Sequence, residues 1–279
     1  MSHNDNYVNF YFLCLTLIYK SSMEHTTKIR LNKAIAHAGI CSRRKADELI
    51  ASGQVAVNGQ IVNNPATTVQ GTDKIAINGK EIFAEAGLCY LVLNKPVMTV
   101  STSSDPQKRP TVMAYVPDAV RNLRLYPVGR LDYLSEGLLL LTNDGDLAQA
   151  MTHPRHHVPK KYEVLIRGGL DESALEIMRK GMTLSEGIRL MPVTVISRQL
   201  KNGNTLLTMT LRQGINRQIR KMCSDLHLVI LKLRRISQGC LKLEDLPPGQ
   251  TRFLGLKEAN FLRRELGLSP LAHNQIIIS

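Results

Sequence analysis

The stretch that decides the fold is Pro127-Val128-Gly129-Arg130-Leu131-Asp132, which is followed by Tyr133-Leu134-Ser135-Glu136-Gly137 and the apolar run Leu138-Leu139-Leu140-Leu141. Glycine permits a tight backbone turn before the carboxylate, and the four leucines predict a buried strand. Asp132 is therefore expected at the mouth of that strand, where a carboxylate is placed for chemistry. Taken alone this signal is weak, because an aspartate near a glycine turn is more often a turn or capping residue than a nucleophile.

Length and charge limit the class of protein. The 279 residues, 43% of them hydrophobic, allow one sizeable core and a small accessory domain, and predict a soluble globular protein. The formal net charge of +13 implies a polyanionic partner. Nucleic acid is preferred to a membrane surface, because no basic amphipathic helix with a wide apolar face stands out. The five scattered cysteines favour a reducing cytoplasm and argue against a zinc ribbon.

Two further features could suggest other functions. The histidines His153, His156 and His157 are close in sequence, but they lack a nearby cysteine or a His-Glu-x-x-His pattern, so we expect no metal site. The apolar run from 7 to 19 is too short to span a bilayer and is not preceded by lysine or arginine, as an export signal would be. Residues 1–27 are predicted to be an extension that is either disordered or untranslated, with translation beginning at Met23.

The chain from residue 28 predicts two short helices. Leu31, Ile35 and Ala38 recur at helical spacing before Gly39, and Ser42 is placed to cap the second helix. Two Asn-Gly pairs between alternating apolar residues, at 58–59 and 78–79, predict β-hairpins. Basic side chains cluster at the helix starts and outer faces, where they would attract phosphate: Arg30, Lys33, Arg43, Arg44 and Lys45.

Three later motifs accompany the Asp132 stretch. Asn94-Lys95-Pro96 ends a predicted buried strand, and Lys160-Lys161-Tyr162 begins another. In Asn216-Arg217-Gln218-Ile219-Arg220-Lys221, the apolar spacing predicts a helix that turns Ile219 towards the core and leaves its basic residues outside.

Together, Gly129-Arg130-Leu131-Asp132 with Ser135 and Gly137, and the three accompanying motifs, resemble the bacterial ribosomal-RNA pseudouridine synthases that modify single uridines. The two basic helices and hairpins resemble the RNA-binding domain of ribosomal protein S4. The resemblance spans about residues 28 to 262. It implies an α+β protein with a small S4-like RNA-binding domain (28–84), a catalytic domain with a mainly antiparallel mixed sheet (85–265) and a tail (266–279).

The resemblance also implies an activity and its residues. The activity is isomerisation of a uridine to pseudouridine, without a cofactor, by a cytoplasmic monomer. Asp132 would be the nucleophile, Arg220 its ion-pair partner and Tyr162 the surface for the extruded base, with Ile219 beside that base. Substrate contacts are expected from four basic side chains: Lys95, Arg130, Arg217 and Lys221. The family commonly has glycine where this chain has Met98, so the resemblance does not determine the backbone conformation at this position.

The substrate and two other functions remain open. The residues of the 216–220 motif and the N-terminal domain favour 23S over 16S ribosomal RNA as the substrate. That substrate could be free RNA or RNA in a pre-ribosomal particle. A non-catalytic RNA-binding assembly factor would bind RNA without forming product. A carboxylate-dependent glycosidase would need a second placed carboxylate, for which Glu136 is the nearby candidate.

Overall fold

The computed structural model describes residues 28–82 and 87–277, and the chain divides into two compact units at residues 86 and 87. The predicted extension at 1–27 lies outside the described residues. Within the described ranges, no helix is long and apolar enough to cross a membrane.

The described residues of the first unit, 28–82, form two helices and six short strands. They are β1 (Ile29–Arg30), α1 (Leu31–His37), α2 (Arg43–Ala51), β2 (Val55–Val57), β3 (Gln60–Val62), β4 (Thr68–Val69), β5 (Ile75–Ile77) and β6 (Lys80–Ile82). Ser42 caps α2 by accepting a hydrogen bond from the Lys45 amide. Asn58 and Asn78 adopt the left-handed conformation that tight hairpin turns require, so both predicted hairpins are confirmed. The four-stranded antiparallel sheet has the order β3-β2-β5-β6, while β1 pairs with β4.

The second unit is built on one large sheet. Its strands are β7 (Leu88–Lys95), β8 (Tyr126–Pro127), β9 (Glu136–Thr142), β10 (Lys160–Ile166), β11 (Thr194–Gln199), β12 (Thr205–Leu211), β13 (Ile230–Gln238), β14 (Leu241–Lys242), β15 (Thr251–Phe253) and β16 (Ile276–Ile277). Its α-helices are α3 (Gly145–Thr152), α4 (Glu172–Lys180), α5 (Gln218–Asp225) and α6 (Leu256–Glu265). Single 3₁₀ turns occur at Val112–Tyr115, Asp118–Val120, Pro154–His156 and His273–Gln275.

The main path of this sheet has the order β11-β12-β10-β13-β9-β7-β15, and β8, β14 and β16 pair with β9, β13 and β7. The pairs β9–β13 and β7–β16 are parallel, and the other pairs are antiparallel. The predicted α+β class with a mainly antiparallel mixed sheet is confirmed.

Strands β7 and β9 are neighbouring interior strands of the sheet and are covered on both faces. The four leucines of β9 are fully buried and alternate between two hydrophobic clusters, one on each face. A strand buried on both sides has no polar face, which explains why it appears in the sequence as an uninterrupted apolar run. Strand β9 carries the Asp132 loop at its amino-terminal end.

The predicted tail at 266–279 differs from the structure over its described part. Strand β16 pairs in parallel with β7, and the Ile276 side chain packs into the core. The Arg263 guanidinium of α6 donates to the Ser269 carbonyl, and Asn260 exchanges hydrogen bonds with the Leu271 backbone. These hydrogen bonds hold residues 269–271 on α6, while the β16 pairing holds residues 276–277 on the sheet. No periodic pattern in the sequence predicts either contact.

Candidate active site

The loop from 129 to 135 presents the Asp132 carboxylate and is fixed at both ends. Gly129 has a φ of +80°, which glycine adopts without strain. The buried Ser101 hydroxyl donates to the Leu131 carbonyl (2.9 Å) and accepts from the Leu131 amide (3.1 Å). The Ser135 amide closes the turn on the Asp132 carbonyl at 3.0 Å. The position of the carboxylate is therefore set by the backbone.

Arg220 connects this loop to helix α5. Its Nε lies 3.3 Å from Asp132 Oδ2, and its Nη2 donates to the Leu134 carbonyl (2.9 Å) and to the Ser135 hydroxyl (3.1 Å). The Asp132 side chain is 33% exposed and that of Arg220 is 18% exposed. These contacts fix the carboxylate on one side and leave its other side open to the cavity.

Lys95 lies behind the same loop, at the end of β7. It is fully buried, and its Nζ donates to the carbonyls of Ser135 (2.7 Å) and Pro96 (2.9 Å). Burial lowers the pKa of Lys95 to about 8, although the nearby Asp132 and Glu136 carboxylates oppose that shift. The predicted substrate contact is not available to a side chain without exposed surface, and its hydrogen bonds support the loop instead.

Next to Asp132 is an open cavity of about 530 Å³. Asp132, Tyr162, Ile219 and Arg220, from three separate segments, all line it. Tyr162 is partly buried and lies on β10, and Ile219 lies in the first turn of α5. The cavity thus brings a carboxylate, a cation, an aromatic ring and an aliphatic side chain together.

The other predicted substrate contacts fall in different places. Arg130 and Arg217 are exposed and line the cavity, and Arg217 adopts a left-handed conformation immediately before α5. Lys221 does not line it and forms an ion pair with Glu186. Glu136, the candidate second carboxylate, also lies outside the lining and pairs with Lys232 at 2.9 Å.

Several cavity residues were not predicted from the sequence: Lys160, Arg235 and Gln238 were given no role, and Gln218 was given none although it lies inside the matched motif. Arg235 lies within β13 and is 2% exposed. The available signal was alternation, since Arg235 follows the buried Leu233 by two residues and so shares its face.

The basic residues of the first unit lie on or near the starts of its helices. Arg30, Arg43, Arg44 and Lys45 are exposed, and Lys33 is partly exposed on α1. Lys45 pairs with Glu48 at 2.8 Å, which raises the pKa of the lysine. In the described part of the chain, no group of three or more His, Cys, Asp or Glu side chains could hold a metal ion.

Comparisons with known proteins agree on one family. A family model for RNA pseudouridylate synthase matches residues 89–225, and one for the S4 domain matches residues 29–75. The ribosomal large subunit pseudouridine synthase B of Bacillus subtilis (strain 168) is 37% identical over 236 residues, which cover 84% of this chain and 95% of that protein. An uncharacterized RNA pseudouridine synthase of Aquifex aeolicus (strain VF5) is 35% identical over 243 residues, covering 86% and 96%.

A solved structure described as a pseudouridylate synthase agrees with this. It is similar at a TM-score of 0.60 and 27% identity, covering 84% of this chain and 99% of its own. The chain therefore belongs to the RNA pseudouridine synthase family of isomerases and carries an S4 domain in its N-terminal part.

Proposed function

We propose that this protein isomerises a uridine of ribosomal RNA, in the 23S molecule, to pseudouridine, and that Asp132 is the nucleophile. The observation that carries the proposal is the Asp132–Arg220 pair, held by loop and helix at one cavity with Tyr162. The choice of RNA is supported by the name of the Bacillus subtilis relative, a ribosomal large subunit enzyme. Ribosomal RNA as substrate also accounts for the predicted cytoplasmic location.

The reaction breaks the N1–C1′ bond of uridine and forms a C5–C1′ bond. The C5 proton is lost to solvent and N1 gains a proton, so the product has the same atoms as the substrate and no co-substrate is consumed. An Asp132 oxygen would bond to C1′ as N1 leaves, and that bond would break when C5 attacks. Arg220 orients the carboxylate for this step through the contact of its Nε with Asp132 Oδ2.

The target base must leave its helix to reach Asp132. Extrusion costs on the order of a few kcal/mol, which stacking on an aromatic side chain can offset. Tyr162 provides that ring and Ile219 an aliphatic contact beside it, since both line the cavity. The exposed Arg130 and Arg217 would bind the flanking phosphates, while the basic residues of the S4 domain would bind RNA elsewhere.

The test is tritium release from 5-tritiated uridine in full-length 23S and 16S transcripts and in a partly assembled large-subunit particle. Because C5 exchanges its hydrogen for the bond to C1′, one equivalent of tritium should be released from the 23S substrate. Asp132→Asn should abolish release. Glu136→Gln is the matched control, because this neighbouring carboxylate lies outside the cavity lining, and it should keep activity.

Other results would change the proposal. Release from 16S alone would correct the substrate. Tight RNA binding without release from any substrate would indicate a non-catalytic assembly factor. Full activity of a folded Asp132→Asn protein would refute the nucleophile.

A further inference from the structure

The cavity that Asp132 lines is also lined by three buried polar residues, and some of their hydrogen-bonding atoms have no partner among the described residues. Gln218, Arg235 and Gln238 line it and are 5%, 2% and 1% exposed. Gln218 Oε1 and Nε2, Arg235 Nη2 and Gln238 Oε1 are buried and have no hydrogen-bond partner. Buried polar groups are nearly always paired, because leaving them unpaired costs stability. Four such atoms at one cavity indicate that a ligand completes them.

Arg235 is the most unusual of the three residues. Its Nε donates to the Leu138 carbonyl at 2.8 Å, which fixes the side chain. Across residues 28–82 and 87–277, however, no carboxylate forms an ion pair with it. The pKa of nearby Lys160 is lowered by burial and also by the charge of Arg235. A buried cation without a counter-ion is costly to keep, and it faces the cavity that receives the substrate.

A β-bulge brings these residues to one face of the sheet. Residues 235 and 238 are three apart in β13 and would face opposite sides of a regular strand. The pairing with β10 skips Ile236, so that Lys160 lies opposite Gln238 and Tyr162 lies opposite Arg235. Directly opposed residues share a face, and bulges are common next to active sites, where they redirect a side chain. Arg235 is therefore the cross-strand neighbour of the ring proposed to stack on the base.

We propose that Arg235, Gln218 and Gln238 form the subsite that holds the polar edge of the target uracil and selects it against cytosine. This inference rests on the proposed function. Uracil presents an N3–H donor between two carbonyl acceptors, and the subsite offers donors from Arg235 and Gln218 and acceptors from both glutamines. Cytosine has an amino donor in place of the O4 carbonyl. An amide can turn over to suit either base, but a guanidinium can only donate, so Arg235 supplies the discrimination.

The same contact would assist the reaction. When the N1–C1′ bond breaks and an Asp132 oxygen bonds to C1′, the electron pair of the broken bond stays on the uracil ring, where resonance shares its charge between N1, O2 and O4. A fixed cation at one of these oxygens stabilises that charge more than it stabilises the neutral base, which accelerates the step. Arg235 would then be a catalytic residue as well as a specificity residue.

Two glutamine variants distinguish a substrate-binding role of Gln218 from a structural one. Replacing an unpartnered buried amide by an apolar side chain of similar size removes a cost, so Gln218→Leu should keep or raise the thermal midpoint while product formation falls about 100-fold. The matched control is Gln213→Leu. Gln213 lines the same cavity, but its Oε1 accepts from the Met191 amide at 3.0 Å, so its loss should lower the midpoint.

The contact of Arg235 is tested with the RNA that the wild-type protein modifies, carrying uridine, 2-thiouridine or 4-thiouridine at the target. Sulfur accepts hydrogen bonds poorly, so one thio substitution should slow wild-type product formation about tenfold. Arg235→Met should be about 100-fold slower with uridine and should show no further loss with that thio base. Arg235→Lys, which keeps the charge and is the milder change for folding, should recover part of the rate.

Two results would overturn the inference. One is a thio effect that is equal in the wild-type and Arg235→Met proteins for both 2-thiouridine and 4-thiouridine. The other is a lower midpoint with an unchanged rate for Gln218→Leu. If the wild-type protein forms no product from any RNA, the proposed function itself has failed; if it forms product and the variants behave as wild type, only the subsite is refuted.

Discussion

Gly137, at the point where β9 meets β13, should not tolerate any side chain. Its φ is +106°, and a Cβ atom added to it would lie 2.2 Å from the Arg235 carbonyl oxygen and 2.7 Å from the Arg235 amide nitrogen. Gly137 and Arg235 are register partners in the parallel β9–β13 pair. The obstacle is backbone rather than a flexible side chain, so the two strands would have to separate by about 1 Å to restore ordinary contact.

The cost of Gly137→Ala follows from two terms. The left-handed conformation costs a residue with a Cβ atom about 1 kcal/mol or more, and overpacking a well-filled core costs about 2 kcal/mol. The free energy of unfolding should therefore fall by about 3 kcal/mol. For a domain of this size each kcal/mol lowers the thermal midpoint by about 3 °C, so we expect a loss of about 9 °C in calorimetry. Product formation should also slow, because β9 carries the Asp132 loop.

Gly168→Ala is the matched control for this prediction. Gly168 has a φ of +77° but no atom within 4 Å of the added Cβ, so it bears only the conformational term of about 1 kcal/mol. Chemical denaturation of both variants should show the difference of about 2 kcal/mol. Equal losses for the two variants would refute the role given to the close contact at Arg235.

Three more predictions concern the Asp132 loop and the basic residues Arg217 and Lys221. Burial lowers the pKa of Lys95 to about 8 from its ordinary 10.5, so unfolding takes up a proton at pH values between these two. The free energy of unfolding of the wild type, relative to that of Lys95→Met, should therefore rise with pH across this range in urea titrations. A difference that stays constant with pH would contradict this prediction. Arg217→Ala should weaken RNA binding and reduce the slope of log affinity against log salt by about one, whereas Lys221→Ala, whose cation is already paired with Glu186, should have a smaller effect in filter binding. Ser101→Ala leaves the buried amide and carbonyl of Leu131 unpaired, so it should cost about 1–3 kcal/mol in denaturation and slow product formation with RNA affinity unchanged; an unaltered rate would show that the loop does not depend on this hydroxyl.

Local signals predicted the elements that local chemistry determines. The Asn-Gly pairs gave both hairpins, because asparagine and glycine tolerate the left-handed turn. Ser42 caps α2 by accepting a hydrogen bond from the Lys45 amide, as its place before the helical spacing predicts. The four leucines predicted the buried strand β9, because a strand that is buried on both faces does not alternate apolar with polar residues.

Features set by distant parts of the chain were not predicted. The bulge at Ile236 changes which side chains of β13 share a face, and it is visible only in the pairing with β10. The resemblance predicts a substrate contact for Lys95, because nothing near it in sequence shows that its ammonium group donates to the Ser135 carbonyl. Met98 takes the glycine-like conformation with a φ of +60°, its amide bonded to the Tyr133 carbonyl and its side chain exposed.

The Asp132 loop also shows why its position is a tertiary property although its sequence is a local motif. The motif provides a turn and a carboxylate, but Ser101, Lys95 and Arg220 hold the turn from three separate segments. Arg220 does more than supply charge. Its rigid guanidinium donates at once to the carboxylate, to a loop carbonyl and to the Ser135 hydroxyl, whereas the compact ammonium of a lysine does not span such a fork. The ion pair and the loop geometry therefore form together, so that in the proposed mechanism the carboxylate would already be oriented when substrate enters and would need no reorganisation during the reaction.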